Sequence, residues 1–409
     1  YRTLSASHAV TLAPVFGDWK GSGSPVVALI GRTGQLVQFS LFDSASNYNA
    51  VIAAPSGTGK SFLTNELLVT TLSVGGRCWV IDVGRSYEKT CAALGGKFAA
   101  FTRETSPSFN PFCMIEDWDE EADVIAGITA AMIAPTQTLS DFHSAALQET
   151  LKRVWDEHGR EMTLDAVAAA LRASTDQRIR DMGQQLFVFT TQGEYGRYFS
   201  GRAAIELDNS FVVLELEELK QRKHLQRVIL LQLIYRIQQE MFHGDRAQQK
   251  IVLIDEAWDL LAESDAAKFI EVGYRRFRKY GGAAIIATQS LNDLYTNPVG
   301  RAIAENSAHT LLLAQPGNAI DQLLAENRLP IGASGARMLK SVHTVPGAYS
   351  EIMVLSDRGG GVGRLIVDPF TRLLYTTEPG EVAALQGLRS RGLSYERAIQ
   401  VLLGAQTHA

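Results

Sequence analysis

A glycine-rich turn near the start of the chain carries a lysine and a serine at a spacing that suits phosphate binding. Residues 54–61 read Ala-Pro-Ser-Gly-Thr-Gly-Lys-Ser, between a short apolar run and a helical pattern. Gly57 and Gly59 allow backbone N–H groups to approach phosphate oxygens, and the start of the helix adds partial positive charge. Lys60 can reach the β- and γ-phosphates, and the hydroxyl of Ser61 can bind Mg²⁺. The predicted nucleotide-binding residues are Pro55, Ser56, Gly57, Thr58, Gly59, Lys60, Ser61 and Phe62.

The first position of this motif departs from its usual glycine, because Ala54 stands there. Alanine suffices at this position if its φ angle stays negative. The alternative interpretation is a glycine-rich helix cap that binds nothing. The flanking strand and helix, together with two acids further along, favour Mg²⁺ and ATP as the ligands.

Two adjacent carboxylates follow another apolar run, residues 251–254. Asp255 and Glu256 would lie at the carboxyl end of a parallel strand, where ligands bind in such sheets. Asp255 suits the outer coordination sphere of Mg²⁺, and Glu256 suits the base that orients the attacking water. Gln289 ends the next apolar run and is predicted to orient water or to report the state of the nucleotide. Its alternative interpretation is an ordinary polar strand end.

Three arginines precede that last run. Arg275, Arg276 and Arg278 lie where a helical pattern stops at the glycines 281–282. Such arginines can act in catalysis by reaching a neighbouring subunit's γ-phosphate, although a solvated basic face at a helix end explains them equally simply. Arg364 is a further candidate for a place near the nucleotide.

Six short apolar runs alternate with helical patterns, which indicates an α/β fold with a mostly parallel central sheet. The runs are Asn49–Ala54, Cys78–Ile81, Phe211–Leu214, Ile251–Ile254, Ala283–Ala287 and Thr310–Leu313. Asp82 follows the second run, where it either shapes the nucleotide site or is structural.

The remaining patterns predict the domain organisation. Residues 1–45 are interpreted as a β element or linker from a missing N-terminal domain, since the chain opens with Tyr1 rather than Met. Residues 46–115 and 203–377 form two parts of one ATPase domain, and residues 116–202 form an all-α insertion. Residues 378–409 form C-terminal helices, and the runs Leu365–Val367 and Leu373–Tyr375 before them are predicted to be β-like.

Composition excludes few classes of protein. The 409 residues are 46% hydrophobic and 20% charged, with a net charge of −5, so contact with nucleic acid or acidic membranes must be local. Three unpatterned cysteines, Cys78, Cys91 and Cys113, are expected to be buried, reduced thiols. The longest uncharged run lies between Asp123 and Asp141, and its glycine, proline and polar residues argue against a membrane-spanning segment.

Several longer strings give the chain a more specific resemblance. They are 16–21 (Phe-Gly-Asp-Trp-Lys-Gly), 109–112 (Asn-Pro-Phe after a Phe), 253–258, 275–282, 287–290 and 363–370. On these strings the chain resembles the VirB/TraC-type ATPases of conjugative type IV secretion systems, within the FtsK/HerA branch of RecA-like P-loop motors. The strings extend over nearly the whole chain.

The resemblance implies a RecA-like fold and a C-terminal motor domain that works as a hexamer. It also implies a position at the cytoplasmic face of the bacterial inner membrane, with docking to inner-membrane components through the missing domain. The implied work is pilus biogenesis and substrate transfer.

Two other functions remain open from the residues alone. A DNA-translocating motor of the same superfamily would need basic, aromatic-rich contact surfaces, and the run Lys220–His224 is the best candidate for one. A nucleotide-gated scaffold would bind ATP and barely hydrolyse it, which the set Asp255, Glu256 and Gln289 disfavours.

Overall fold

One large sheet organises the chain. The computed structural model describes residues 5–6, 18–102, 108–135, 137–201, 207–256, 276–296 and 298–407. Within these ranges the strands form a 12-stranded sheet in the order β2-β1-β12-β11-β9-β3-β8-β7-β4-β6-β5, with β10 beside β11. The strands are β1 (Val27–Gly31), β2 (Leu36–Phe39), β3 (Ala50–Ala53), β4 (Arg77–Asp82), β5 (Lys97–Ala100), β6 (Phe211–Glu215), β7 (Lys250–Asp255), β8 (Gly282–Thr288), β9 (His309–Leu312), β10 (Thr344–Val345), β11 (Tyr349–Ser356) and β12 (Gly359–Leu365).

The strands from β9 to β5 in this order are all parallel. The six predicted apolar runs correspond to β3, β4, β6, β7, β8 and β9. Every residue of β3, β6, β7 and β8 is buried, as expected for strands covered on both faces. The prediction of a mostly parallel α/β sheet is therefore confirmed. Because the strands point the same way, the residues after β3, β7 and β8 meet at one edge, which we call the carboxyl edge.

An antiparallel flank extends the sheet beyond β9. There β11 pairs with β9 and β12, β12 pairs with β1, and β1 pairs with β2. Since β11 runs against β9, its first residues lie at the carboxyl edge. The flank therefore adds side chains from the end of the chain to the edge that carries residues 54–61.

Helices cover both faces of the sheet. They are α1 (Lys60–Ser73), α2 (Glu88–Ala93), α3 (Trp118–Ile133), α4 (Asp141–His158), α5 (Leu164–Arg172), α6 (Gln177–Leu186), α7 (Lys223–His243), α8 (Leu291–Leu294), α9 (Pro298–Glu305), α10 (Gly317–Ala325), α11 (Ala333–Lys340), α12 (Pro369–Tyr375), α13 (Pro379–Arg389) and α14 (Tyr395–Thr407). Short 3₁₀ helices span Leu41–Asp43, Gly159–Glu161, Phe187–Phe189, Gly196–Tyr198, Glu217–Leu219 and Phe277–Tyr280.

Alternate residues of each central strand enter two different cores. In β4, Trp79 and Ile81 pack with the helices α3 to α7, whereas Cys78 and Val80 pack with α1 and the antiparallel flank. This alternation follows from the two-residue period of a strand. A third, smaller core joins α12, α13 and α14 to one side of α1 through Phe62 and Val69. The helix that begins at Lys60 is thus held from two directions.

Three predictions from the sequence are wrong in detail. Only the first residue of the run Leu365–Val367 lies in a strand, because β12 ends at Leu365. The run Leu373–Tyr375 is the end of helix α12 rather than a strand. Asp368 caps this helix by accepting hydrogen bonds from the backbone N–H groups of Phe370 and Thr371, at 2.9 and 3.1 Å, and Pro369 suits the first helical turn. Of the three cysteines, all free, Cys113 is only half-buried.

Some predicted features lie outside the described residues: Arg275, Phe16, Gly17, Ala257, Trp258 and most of the helix expected before Phe277. Among the helices that are described, none is both long and apolar enough to cross a membrane.

Candidate functional site

The loop between β3 and α1 adopts the conformation that its glycines predict. Gly57 and Gly59 have φ angles of 78° and 106°, in the region that side chains with a Cβ rarely adopt. Gly59 is also tightly packed, because a Cβ there would come within 2.3 Å of the Ser350 hydroxyl oxygen. The Thr58 hydroxyl closes the turn by donating to the Pro55 carbonyl at 2.7 Å. Helix α1 then starts at Lys60, so its free N–H groups face the loop.

Ala54 fits this loop without strain. It is fully buried, and its φ angle is not positive. Its N–H continues the sheet by donating to the Thr288 carbonyl at 3.0 Å. Alanine therefore suffices at this position directly after β3, with no need for glycine.

The lysine of the loop and the two carboxylates meet at the carboxyl edge. Lys60 Nζ lies 2.7 Å from Asp255 Oδ1 and donates a second, short hydrogen bond to Glu256 Oε1. The two acids differ in accessibility, since 2% of the Asp255 side chain is exposed and 31% of that of Glu256. A buried acid beside an accessible one suits the division into a metal-side carboxylate and a base that meets water.

Burial and pairing act in opposite directions on these charges. Burial would lower the pKa of Lys60, but its pairing with Asp255 and Glu256 outweighs that effect and raises the pKa. Burial raises the pKa of Asp255, and attraction to Lys60 opposes the rise. Lys60 is thus a protonated cation held at the position where phosphate charge would be accepted.

The backbone places Glu256 on the same side of the sheet edge as its neighbour. Successive strand residues normally point to opposite faces, yet both acids contact Lys60. Glu256 has a φ angle of 59°, a left-handed conformation that costs on the order of 1 kcal/mol or more for a residue with a side chain. Gln289 follows β8 and donates to Glu256 Oε2 at 3.3 Å. The structure therefore brings together Lys60, Asp255, Glu256 and Gln289.

Arg276 and Arg278 lie at the opposite edge of the sheet. Both side chains are exposed, on either side of the buried ring of Phe277. Arg278 donates to the carbonyl of Ser46, just before β3. The seven residues of β8 separate this edge from Gln289, which is roughly 20 Å at the rise of a strand. Neither arginine can reach the phosphate loop of its own subunit.

Arg364 lies at the carboxyl edge, on the antiparallel flank. It is the register partner of Glu351, and its Nε donates to Glu351 Oε1 at 3.2 Å. Burial would raise the pKa of Glu351, but hydrogen bonds from Arg32 and Arg364 outweigh it and lower the pKa. Ser350, the residue before Glu351 on β11, packs against Gly59. Arg364 is thus one strand removed from the strand that touches the phosphate loop.

The remaining predicted residues have mixed environments. Ser61 is half-buried in the first turn of α1, and its carbonyl accepts from Asn65 at 2.7 Å. The ring of Phe62 meets the edge of Tyr375 at 5.9 Å between centroids, so this side chain belongs to the core around α12.

Asp82 is buried and accepts from the Ser86 N–H at 2.6 Å. Burial, then repulsion from Glu215 and Asp255, raises the pKa of Asp82 well above its ordinary value.

Sequence reasoning missed two contacts of the site. The Thr344 hydroxyl donates to the Thr58 carbonyl at 2.8 Å, which ties the phosphate loop to β10. The Tyr87 hydroxyl lies 2.7 Å from Asp255 Oδ2. Thr344 is 286 residues from its partner, and no local pattern links the two. Tyr87 lies just beyond the strand that ends at Asp82. The order of the strands and the position of Asp82 were therefore the sequence features that could have placed Tyr87 near Asp255.

The site and its sheet define the class of protein as a P-loop NTPase. The chain matches the TraG P-loop domain family over residues 38–153 and 155–406, and it belongs to this family. It is 29% identical over 379 residues to protein TraC of Escherichia coli K12, covering 87% of this chain and 42% of TraC. It is 20% identical over 308 residues to the type IV secretion system protein virB4 of Bartonella henselae, covering 75% of this chain and 38% of virB4. The chain thus spans about two fifths of the length of these relatives.

Solved structures agree on the fold. The structure of VirB4 of Thermoanaerobacter pseudethanolicus superposes with a TM-score of 0.73 at 20% identity, covering 85% of this chain and 98% of that one. The plasmid coupling protein TrwB, solved in complex with ADP and Mg²⁺, gives a TM-score of 0.54 at 13% identity, covering 78% and 86%. These findings confirm the RecA-like fold class and the predicted resemblance to VirB/TraC-type proteins.

Proposed function

We propose that this chain is the ATPase domain of a conjugative type IV secretion motor, which hydrolyses ATP to ADP and phosphate to drive pilus biogenesis and substrate transfer. One observation carries the proposal: Lys60, Asp255, Glu256 and Gln289 form a connected polar cluster beside the phosphate loop. The family match and the similarity to TraC support the secretion context.

Each residue of the cluster has a chemical role in this proposal. When a triphosphate binds to residues 55–61, Lys60 pairs with its phosphate oxygens in place of the two carboxylates. Glu256, the accessible acid, accepts the proton of the attacking water, and Gln289 orients that water. Arg364, on the strand beside the one whose Ser350 packs against Gly59, is proposed to contact the nucleotide.

The oxygen ligands that these residues offer fit Mg²⁺. A serine hydroxyl at the first turn of α1 and a nearby buried carboxylate are ligands that this ion takes together with phosphate oxygens and water. Ser61 would bind it directly, and Asp255 would hold it through water. Bound there, the ion would neutralise charge on the β- and γ-phosphates.

We also propose that the working form is a homo-hexamer at the cytoplasmic face of the bacterial inner membrane, docked on membrane components of the secretion complex. The support is the family resemblance and the position of Arg276 and Arg278, which can serve only a neighbouring subunit's nucleotide. A domain outside residues 1–409 would make the docking contacts.

The test is steady-state ATP hydrolysis with and without single-stranded DNA, at low and moderate salt, with Glu256→Gln as the blank. We expect turnover that rises with protein concentration and is indifferent to DNA. Strong stimulation by DNA at both salts would instead favour a DNA-translocating motor. Lys220 and Arg222 of the run 220–224 pair with Glu217 and Glu194, at 3.5 and 3.9 Å, so much of its charge is already balanced. Absence of any Mg²⁺-dependent turnover at all protein concentrations would contradict the proposal.

A further inference from the structure

The hydroxyl group of Tyr87 lies directly behind the carboxylate proposed to face Mg²⁺. Tyr87 is fully buried and immediately precedes α2. Its oxygen is 2.7 Å from Asp255 Oδ2 and 2.8 Å from the Thr64 hydroxyl oxygen on α1. The side chain therefore connects the strand that carries the carboxylates with the helix that carries Lys60.

The direction of this hydrogen bond follows from protonation. The phenol of Tyr87 carries one O–H group, which it can donate at neutral pH. An ionised carboxylate can only accept. Tyr87 therefore donates to Asp255 Oδ2, while Lys60 occupies Oδ1 at 2.7 Å. Each oxygen of Asp255 has its own donor, and the two donors come from different elements.

The surroundings give this donor a particular importance. Behind Asp255, the side chains of Asp82 and Glu215 lie on the neighbouring strands β4 and β6, in register with each other. Both acids are buried, and Asp82 Oδ1 has no hydrogen-bond partner among the described residues. Without the Tyr87 hydroxyl, Asp255 Oδ2 would lose the hydrogen bond that holds it beside these two acids. A neutral donor on Oδ2 opposes rotation of the carboxylate without adding charge.

We propose that Tyr87 is a positioning residue for Asp255: it fixes Oδ2 so that Oδ1 alone faces Lys60 and the coordination sphere of Mg²⁺. The inference deepens the proposed function and rests on it. Strand β7 would still form if the carboxylate of Asp255 were free to rotate, but that carboxylate would hold metal-bound water less well. Loss of Tyr87 should therefore affect Mg²⁺ more than it affects the nucleotide.

The experiment compares Tyr87→Phe with Tyr375→Phe in the full chain. Tyr375 is also buried, and its hydroxyl also contacts a carboxylate, Glu66 Oε2, at 3.1 Å. Turnover is measured at saturating ATP over a Mg²⁺ titration, and binding of a fluorescent ATP analogue is measured in EDTA. For Tyr87→Phe we expect the Mg²⁺ concentration at half-maximal turnover to rise about tenfold, the scale of one hydrogen bond to a charged group. Metal-free binding should stay within twofold of wild type, and Tyr375→Phe should leave the Mg²⁺ curve unchanged.

The outcomes separate this inference from the function on which it rests. If wild type shows no Mg²⁺-dependent turnover, the proposed function fails. If wild type is active and folded Tyr87→Phe has an unshifted Mg²⁺ curve, only the positioning role is overturned. Should Tyr87→Phe lose its circular-dichroism signal, Thr64→Val removes the other contact of the same hydroxyl, and a shift of about threefold is expected. An unshifted curve for folded Thr64→Val then overturns the role.

Discussion

The two edges of the parallel sheet differ in how completely one chain holds their charged side chains in place. At the carboxyl edge, Lys60 has two carboxylate partners and Asp255 has a donor on each oxygen. At the opposite edge, the side chains of Arg276 and Arg278 are exposed, and Arg278 donates to a backbone carbonyl, that of Ser46. We propose that the first arrangement binds a ligand by itself. In this proposal the second gains a catalytic role only when another subunit supplies the phosphate.

Lys60→Ala should give the largest effect, because it removes the cation on which both carboxylates converge. We expect no measurable ATP turnover and loss of nucleotide binding, since buried Asp255 is left without its counter-charge. Lys152→Ala is the control, because among the described residues this exposed lysine forms its ion pair with Asp156, one turn away. Full activity of Lys60→Ala would remove the phosphate loop from the mechanism.

The arginines test the other edge. In Arg276→Ala/Arg278→Ala, turnover should fall about 10³-fold, at the lower end of the effect of an arginine that acts in trans. ATP binding should be unchanged, because the edge lies far from the subunit's own phosphate loop. Mixing this double variant with Lys60→Ala subunits should restore part of the activity, since some interfaces then pair an intact loop with intact arginines.

Verified mixed oligomers without any recovery would contradict a role in trans. An equal loss of nucleotide binding in the double variant would mean that the arginines act through folding. The hydrogen bond from Arg278 to the carbonyl of Ser46 makes this second readout necessary.

Glu256→Gln separates binding from hydrolysis within the carboxyl edge. The amide keeps the size of the side chain and cannot accept a proton as a base, so we expect turnover to fall about 10²-fold with ATP retained. The measurement is filter binding of labelled ATP beside a phosphate-release assay. Glu157→Gln, at a well-exposed position on α4, is the matched control. Normal hydrolysis by Glu256→Gln would exclude Glu256 as the base.

Local patterns predicted the parallel half of the fold and the meeting of Lys60, Asp255 and Glu256 at its carboxyl edge. Six buried runs became strands, and the phosphate loop follows the first of them, because both features are written in consecutive residues. The antiparallel flank was poorly predicted, since β12 begins with glycines 359–361 and lacks a hydrophobic period. The pairing of Arg364 and Arg32 with Glu351 depends on register between strands far apart in the chain, which no local pattern encodes.

Helix α12 shows why one strand prediction was wrong. A short apolar run can belong to either a strand or a buried helix, and flanking residues must decide between them. Here the preceding Asp-Pro, residues 368–369, is a helix start signal. The three apolar residues Leu373–Tyr375 are all buried at the end of the helix.

The smallest expected effect tests this cap and the support it gives to the carboxyl edge. Asp368→Ala removes two hydrogen bonds to backbone N–H groups, which costs about 1 kcal/mol of local helix stability. Amide hydrogen exchange in residues 369–375 should become roughly fivefold faster, while ATP affinity stays unchanged, because α12 packs on the side of α1 remote from Lys60's carboxylates. Asp176→Ala removes the equivalent cap of α6 and should accelerate exchange only in residues 177–186. Faster exchange in α1 with Asp368→Ala alone would show that the phosphate-loop helix depends on α12. Unchanged exchange in α12 would mean that its packing, rather than its cap, determines its stability.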